Sequence, residues 1–420
     1  MKILIDGLNF ELQTGTGIKT FTRSVIAALK KEGHSIDILS EQTFPKINHV
    51  LPIDAYIAAT QSNVKSLNRK HNFIEKIFFN RNYKGEIFLS DFERQLLCRS
   101  HSKDWLNINC LRIDPNLFKK AFLRASIGLG ISKINKYFDQ DILFLTSPIP
   151  IRLTGKINIL TVHDIIPLSH PWLMNNWQVS AKVMGKTYDY TLRMADKIIC
   201  VSETSKKELI KRFKVNELKI HVVYQPCRFS IDDKIDNESD HNYLFNEKKY
   251  FKQQYILFIG AIEPKKNLFN LLKAMKLNRN LPNLIIVGQF AWSCERERLL
   301  IHDLRGRVHH LGFLTDGELE VILKNASVFV FPSITEGFGL PVLEAMWQGV
   351  PCVISDIPVF RELFSNFAYF VDPFNPASIS EGILNALNEG RANAPVAQNY
   401  VREKFSLSEF QKKLNNIINI

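Results

Sequence analysis

Glu336 and Glu344 stand eight positions apart, on either side of a loop rich in residues that leave backbone amides free. The stretch runs Phe331-Pro332-Ser333-Ile334-Thr335-Glu336-Gly337-Phe338-Gly339-Leu340-Pro341-Val342-Leu343-Glu344-Ala345-Met346. An apolar strand pattern precedes it and helical periodicity follows. Gly337 and Gly339 permit close backbone approach, and Pro341 suits a first helical turn, where its missing N–H costs no hydrogen bond. The result is a run of open amides at a helix N-terminus, which attracts anions. Glu336 falls in the loop and Glu344 about one turn inside the helix, so two carboxylates can address two parts of one ligand. With no ligand, the same residues make a tight turn with two surface glutamates.

Lys265 and Lys266 follow the apolar strand pattern Tyr255 to Ile259, between Glu263-Pro264 and Asn267. Doubly wound sheets bind ligands at that edge, and two adjacent ammonium groups there can neutralise a diphosphate leaving group. In any other position they would be a solvated loop pair. Gly15-Thr16-Gly17-Ile18 opens the first helix, but position 20 is Thr, so the dinucleotide fingerprint G-x-G-x-x-G is not met. His163 closes a buried strand and precedes Asp164. A single His is commonly structural, whereas the C-terminal end of a parallel strand is where ligands sit.

These segments together resemble the retaining family-four glycosyltransferases with the GT-B fold. The E-x7-E arrangement from Glu336 to Glu344 is similar to that family's signature, and Gly260-Ala261-Ile262-Glu263-Pro264-Lys265-Lys266-Asn267 resembles its G-x-x-x-P-R/K-K-N segment. Val287-Gly288, Leu311-Gly312-Phe313-Leu314, the "HD" segment Thr161 to Leu168 and Val201-Ser202-Glu203 agree in order. The likeness covers the C-terminal half almost throughout and the N-terminal half at its strand ends; residues from about Ala59 to Asp141 have no counterpart we can place.

The resemblance implies a nucleoside diphosphate-sugar lying across the C-terminal domain, its ribose on Glu344. Glu336 and the amides of Gly337, Phe338, Gly339 and Leu340 would grip the sugar hydroxyls, with His163 facing the transferred sugar. The Gly17 amide, Lys265 and Lys266 would stabilise the departing diphosphate. Catalysis would thus fall to Glu336, His163 and Lys266. Two departures stand out: Lys19 replaces a common second glycine, and Gln225-Pro226 replaces an Asn-Gly turn, which predicts a stiffer hinge. No metal and no cofactor are expected. Asp139-Gln140-Asp141 spells the D-x-D of the other glycosyltransferase fold, but no second ligand set accompanies it and the lysines already supply positive charge.

For the donor base, the Asp316 carboxylate can accept from the N1–H and amino group of guanine. Equally, Thr315 and Glu318 spell a capping box beside which Asp316 merely favours the helix dipole. GDP-mannose is the expected donor, with UDP-sugars open. The acceptor is expected to be a glycan or lipid-linked glycan, in polysaccharide, O-antigen or capsule assembly. Two other classes compete. A glycoside hydrolase or phosphorylase also uses paired carboxylates but needs no diphosphate clamp. A basic nucleic-acid-binding protein would need a stacking module, and none is found.

Around these residues the chain alternates short apolar strands with helices in both halves, which predicts an α/β protein with parallel sheets. Strand patterns cover Lys2 to Asp6, Asn158 to Val162, Lys197 to Val201, Tyr255 to Ile259, Leu284 to Val287, Ala326 to Phe331 and Pro351 to Ile354. The expected architecture is GT-B: two Rossmann-like, doubly wound domains facing across a cleft. The expected N-terminal acceptor domain covers 1–227, a polar linker 228–254 and the donor domain 255–400, and a helix over 401–420 is expected to return to the first domain. The chain of 420 residues, 45% hydrophobic and 23% charged, suits two soluble domains. Asp6 and Gly7 end the first apolar run too early for a signal peptide, and six scattered cysteines suit a reducing compartment, so a cytoplasmic location is expected.

Net charge is +12 and uneven. Residues 1–225 carry 33 Lys and Arg against 20 Asp and Glu, and the remainder 21 against 22. The basic half includes Pro115 to Arg124, where Leu117, Phe118, Phe122 and Leu123 alternate with Lys119, Lys120 and Arg124, and a similar stretch from Leu67 to Lys84. Such segments suit peripheral contact with an anionic membrane on its inner face, or else solvated helices packed on the domain core.

Overall fold

The structure is a computed structural model that describes residues 1–12, 17–42, 52–61, 84–100, 103–134, 139–175, 177–231, 254–392 and 394–419. The strands are β1 (Lys2–Asp6), β2 (Ser35–Ser40), β3 (Gly85–Phe88), β4 (Cys110–Ile113), β5 (Ser132–Ile134), β6 (Ile142–Leu145), β7 (Ile151–Leu153), β8 (Ile157–Val162), β9 (Lys197–Cys200) and β10 (Ile220–Val222) in the first half. The second half holds β11 (Tyr255–Ile259), β12 (Asn283–Val287), β13 (Val308–Gly312), β14 (Val328–Phe331), β15 (Cys352–Ser355) and β16 (Tyr369–Val371).

These strands build one large sheet per domain, and β5 and β7 pair parallel as a small third sheet. The first has the order β10-β9-β8-β6-β1-β2-β4-β3, and the second β13-β12-β11-β14-β15-β16. Every pairing in the second sheet is parallel. In the first, only the edge strand β3 runs antiparallel, on β4. The parallel-sheet expectation thus fails at that edge, where Gly85-Glu86-Ile87-Phe88 buries only Ile87 and lacks the continuous apolar run of the central strands. Central strands are buried on both faces, as β11 shows with all five residues inside.

Helices cover the sheets because their apolar residues recur with the helical period. The helix Gly17–Lys31 buries Phe21, Val25, Ile26, Ala28 and Leu29, carries Lys30 and Lys31 in its last turn, and ends before Gly33 at φ 78°. The last helix, Leu407–Ile418, buries Phe410, Leu414, Ile417 and Ile418 and is capped by Ser406, which accepts from the Glu409 amide. It rests on the first helix, with the Phe410 ring 5.8 Å from that of Phe21, and the Ile417 carbonyl accepts from Lys197 Nζ. The C-terminal end of the chain therefore packs on the N-terminal domain.

Since all parallel strands of a doubly wound sheet point one way, their C-terminal ends form one functional edge. Asp6, His163 and Ser202 lie at that edge of the first sheet, and Lys265, Gly288 and Pro332 at that edge of the second. The two edges face each other. Asp139-Gln140-Asp141 lies at the opposite edge, before β6, where Asp139 pairs with Lys2 and Arg112 and the Asp141 carboxylate accepts from the Lys2 amide.

Candidate functional site

Gly339, at φ 110°, caps the helix Leu340–Trp347, and Pro341 lies in its first turn. A side chain at 339 would be strained by that φ and would also stand 2.6 Å from the Phe360 ring, so only glycine starts the helix here. The first helix of the other domain starts at Gly17, whose added Cβ would lie 3.5 Å from Leu340 Cδ1. Two helix N-termini, one per domain, therefore meet at this point, and their partial positive charges add. Gly15 and Thr16 lie outside the described residues.

Beside this junction the lysine pair meets Glu336. Lys266 Nζ donates to Glu336 Oε1 at 2.5 Å and lies over the Phe331 ring at 4.8 Å. Lys265 Nζ stands 3.4 Å from Glu263 Oε1, while its backbone carbonyl accepts from the Ile334 amide at 2.8 Å. That bond ties the lysine turn to the loop carrying Glu336. Burial alone would raise the Glu336 carboxyl, yet Lys266 and Lys265 hold it below its usual range. Burial likewise works against a charged Lys265, but Glu336, Glu263 and Asp164 outweigh it and raise its pKa. The group sets one ionised carboxylate between two ammonium ions, which leaves positive charge available to an anionic ligand.

His163 is held from two sides. Its Nε2 lies 2.9 Å from the Thr146 carbonyl, which can only accept, so Nε2 carries the proton. Nδ1 is then the acceptor, with Gln225 Nε2 at 3.4 Å. Burial pushes the imidazole below its usual pKa, against the raising effects of Thr146 and Asp164, so the neutral ring is favoured. Gln225, singled out in sequence only as a hinge departure, is thus a neighbour of His163.

The domains touch directly at Gly337. Its carbonyl accepts from Ser202 Oγ at 2.9 Å and from Ser205 Oγ at 3.3 Å, and Ser205 Oγ also reaches the His163 carbonyl of its own domain at 2.9 Å. Phe338 points away from the sheet edge into an aromatic cluster, 6.2 Å from Tyr224 and 5.8 Å from Phe405 between ring centres. Its side chain anchors the loop, so only its backbone is placed to serve a ligand. Glu362 adds a further bridge by accepting from the amides of Glu203 and Thr204, both at 2.7 Å, at the start of an N-terminal-domain helix.

Glu344 is buried and engaged by a residue that sequence reasoning missed. Arg228 donates from Nε to Oε1 at 2.7 Å and from Nη2 to Oε2 at 2.6 Å, and from Nη1 to Asp316 Oδ1 at 2.9 Å. Asp316 Oδ2 also accepts from Arg23 at 3.3 Å. These two arginines hold the Asp316 carboxyl below its usual range despite burial. The capping box is formed as well, since Thr315 accepts from the Glu318 amide and Glu318 from the Thr315 amide. Asp316 is therefore committed to an interdomain ion pair here, and the structure brings it, Glu344 and Arg228 together apart from the Glu336–Lys266 group. A bidentate pair on a buried carboxylate is a strong one: removing one partner costs about 3–5 kcal/mol.

Among the described residues, no three His, Cys, Asp or Glu side chains gather in a way that would hold a metal ion. No described helix is long and apolar enough to cross a membrane. All six cysteines are unpaired.

Comparison with known proteins places this geometry. The family described as Glycosyl transferases group 1 matches residues 240–403, and Glycosyltransferase Family 4 matches residues 90–227. The O-antigen chain mannosyltransferase RfbU of Salmonella typhimurium is 32% identical over 232 residues, which is 54% of this chain and 60% of that protein. The O-antigen chain mannosyltransferase B of Escherichia coli is 31% identical over 251 residues, 57% of this chain and 63% of that protein. The chain thus spans somewhat less than two thirds of the length of these relatives. Among solved structures, the sucrose-phosphate synthase of Thermosynechococcus elongatus superimposes with a TM-score of 0.68 over 100% of this chain and 98% of that one, at 15% identity.

Proposed function

The chain belongs to the family-four-like glycosyltransferases of the GT-B fold, and from that premise we propose that it transfers a hexose, mannose from GDP-mannose, with retention of configuration to a glycan or lipid-linked glycan. The carrying observation is the meeting of Gly17 and Leu340, which aims two helix N-termini from opposite domains at one place beside Lys265, Lys266 and Glu336.

For retention, the acceptor hydroxyl attacks the anomeric carbon from the face that the nucleoside diphosphate leaves, its C–O bond forming as the bond to the phosphate oxygen breaks. The negative charge that develops on the leaving group falls to the Gly17 amide, Lys265 and Lys266, and the acceptor hydroxyl's proton passes to the departing phosphate oxygen. Glu336 and the amides from Gly337 to Leu340 hold the sugar, and His163 faces it as a neutral imidazole. Glu344 receives the ribose. Contacts across Gly337 and His163 exclude water from the closed cleft.

The relatives named as O-antigen chain mannosyltransferases support mannose as the sugar. Guanine is the expected base, which Asp316 would accept from on the lone pairs that Arg23 and Arg228 leave open. We place the protein in the cytoplasm, in O-antigen or related polysaccharide assembly, resting on the inner membrane face through its basic N-terminal domain. A thermal-shift screen with GDP, UDP and ADP, followed by their sugars, tests the reading. GDP and GDP-mannose should raise the melting temperature most. Stabilisation by none of the three nucleotides would remove the nucleotide-sugar reading, and preference for UDP would reassign the donor.

A further inference from the structure

Arg228 lies at the joint between the domains, in a short turn Arg228–Ser230, with no catalytic or binding role assigned so far. Its guanidinium fork covers one side of the Glu344 carboxylate, one N–H per oxygen at 2.7 and 2.6 Å. That fork takes the lone pair of each oxygen that faces the open edge of the carboxylate, and each oxygen keeps one outward-pointing lone pair that can still accept from a single hydroxyl. The remaining nitrogen, Nη1, reaches Asp316, which Arg23 of the first helix also grips; Arg23 Nε in turn stands 2.6 Å from Asp104 Oδ2. Charges therefore alternate along one line, Asp104, Arg23, Asp316, Arg228, Glu344, running from the N-terminal domain across the cleft and through the hinge.

We propose that Arg228 is a positioning residue for the donor: it sets the plane of the Glu344 carboxylate so that an outward lone pair meets a ribose hydroxyl. This rests on the reading of Glu344 as the ribose ligand. A buried carboxylate without its fork would be free to turn and would draw water in place of that hydroxyl. A lysine at 228 restores the charge but offers no pair of parallel donors, so it restores the geometry only in part. Through Asp316 and Arg23, the same fork connects the occupied ribose site to the first helix, which carries Gly17 at its start.

The test compares GDP with 2′,3′-dideoxy-GDP by calorimetric titration, with UDP and 2′,3′-dideoxy-UDP in parallel, on the full chain and on Arg228→Ala, Arg228→Lys and Glu344→Ala. Thermal melts check that each variant folds. In the nucleotide series that wild type binds more tightly, Arg228→Ala should weaken the ribonucleotide about tenfold while the dideoxynucleotide stays within twofold of wild type. Arg228→Lys should fall between. Equal losses for both ligands would make Arg228 a general structural tie and overturn the proposal, as would ribonucleotide affinity within twofold of wild type. Glu344→Ala separates the two levels of the argument. If it abolishes the preference for the ribonucleotide while Arg228→Ala leaves that preference intact, only the role of Arg228 fails. If Glu344→Ala keeps the preference, the ribose assignment fails and the proposal with it.

Discussion

A Cβ built on Gly337 would stand 2.3 Å from the carbonyl oxygen of His163, across the boundary between the domains. The next neighbours are Asp164 Cβ at 2.9 Å and the His163 carbonyl carbon at 3.1 Å. Main chain cannot swing aside as a side chain can, so a methyl group here must part the domains. Gly337 is not among the residues with positive φ, which makes the conflict one of space and not of local backbone strain. Gly337→Ala should lower turnover on the order of 100-fold, the scale of a 1 Å misplacement at a reacting centre. Its melting temperature should change little, and small-angle scattering should show a larger radius of gyration. Wild-type turnover would mean that the enzyme works without this contact.

The architecture was legible where a strand is buried on both faces. Tyr255 to Ile259 reads as a continuous apolar run and is β11 to the residue, because a central parallel strand has no solvent side to interrupt it. Ala326 to Phe331 reads two residues too long, since Ala326 caps the preceding helix through its amide to the Leu323 carbonyl. Nothing in the sequence announced β3, an edge strand with one buried residue. At the site, spacing along the chain showed the turn before Leu340 and the lysine pair, but not which charges would meet. Lys266 and Glu336 are 70 positions apart, and Arg228 and Glu344 are 116 apart. Such pairs are made by the approach of sheet edges, and Arg228 drew no notice because it opens a polar linker.

The two glutamates should separate kinetically. Glu344 lies with Arg228 and Asp316, away from the Glu336–Lys266 pair. Glu344→Ala should therefore weaken nucleotide binding, whereas Glu336→Ala should mainly lower turnover at saturating donor. Steady-state kinetics with a nucleotide-sugar and an acceptor extract measure both. Wild-type-like parameters in both variants would remove the core of the donor-site reading.

Lys266→Ala removes the ammonium that touches Glu336. It should cost more than ~1.5 kcal/mol of transition-state stabilisation, the low end for a lost charge-assisted hydrogen bond. Lysine and helix N-termini supply the positive charge in this scheme, so transfer should survive EDTA. An absolute requirement for added Mn²⁺ or Mg²⁺ would assign part of that charge to a metal ion.

Glu11 offers a pH test of stability away from the site. Burial raises its carboxyl to about 7, although Ser40, Tyr56 and Gln42 hydrogen bonds pull it down; the Tyr56 hydroxyl donates to Oε1 at 2.6 Å. The folded pKa lies above the unfolded one, so the native state binds more protons between them. Below about pH 4.5 this group imposes no cost, and the cost grows as pH rises through 7, towards about 3 kcal/mol at full ionisation. Glu11→Gln should thus compare more favourably with wild type at pH 8 than at pH 5 in thermal melts. An offset that does not change with pH would show that Glu11 ionises as freely folded as unfolded.

The membrane hypothesis turns on the helix Leu117–Ser126. Leu117, Phe118, Ala121 and Ala125 are buried, so packing against the domain accounts for most of its apolar side. It does not account for Leu123, Ile127 and Leu129, which are 61%, 61% and 58% exposed and follow one another along the helix and the turn after it. Lys119, Lys120, Arg124 and Lys133 are exposed beside them. The other basic stretch, Leu67 to Lys84, lies outside the described residues except for its last member. Three apolar side chains among four cations can enter the headgroup layer while each charge gains about 1 kcal/mol from anionic lipid. The protein should float with vesicles containing phosphatidylglycerol at low salt, and less so at high salt as the charges are screened. Leu123→Asp with Ile127→Asp should abolish flotation without altering the melting temperature, since neither side chain is part of the core. If the wild-type protein stays with the soluble fraction on anionic vesicles at low salt, this face does not bind lipid, and the positive charge of the N-terminal domain serves its phosphorylated ligands instead.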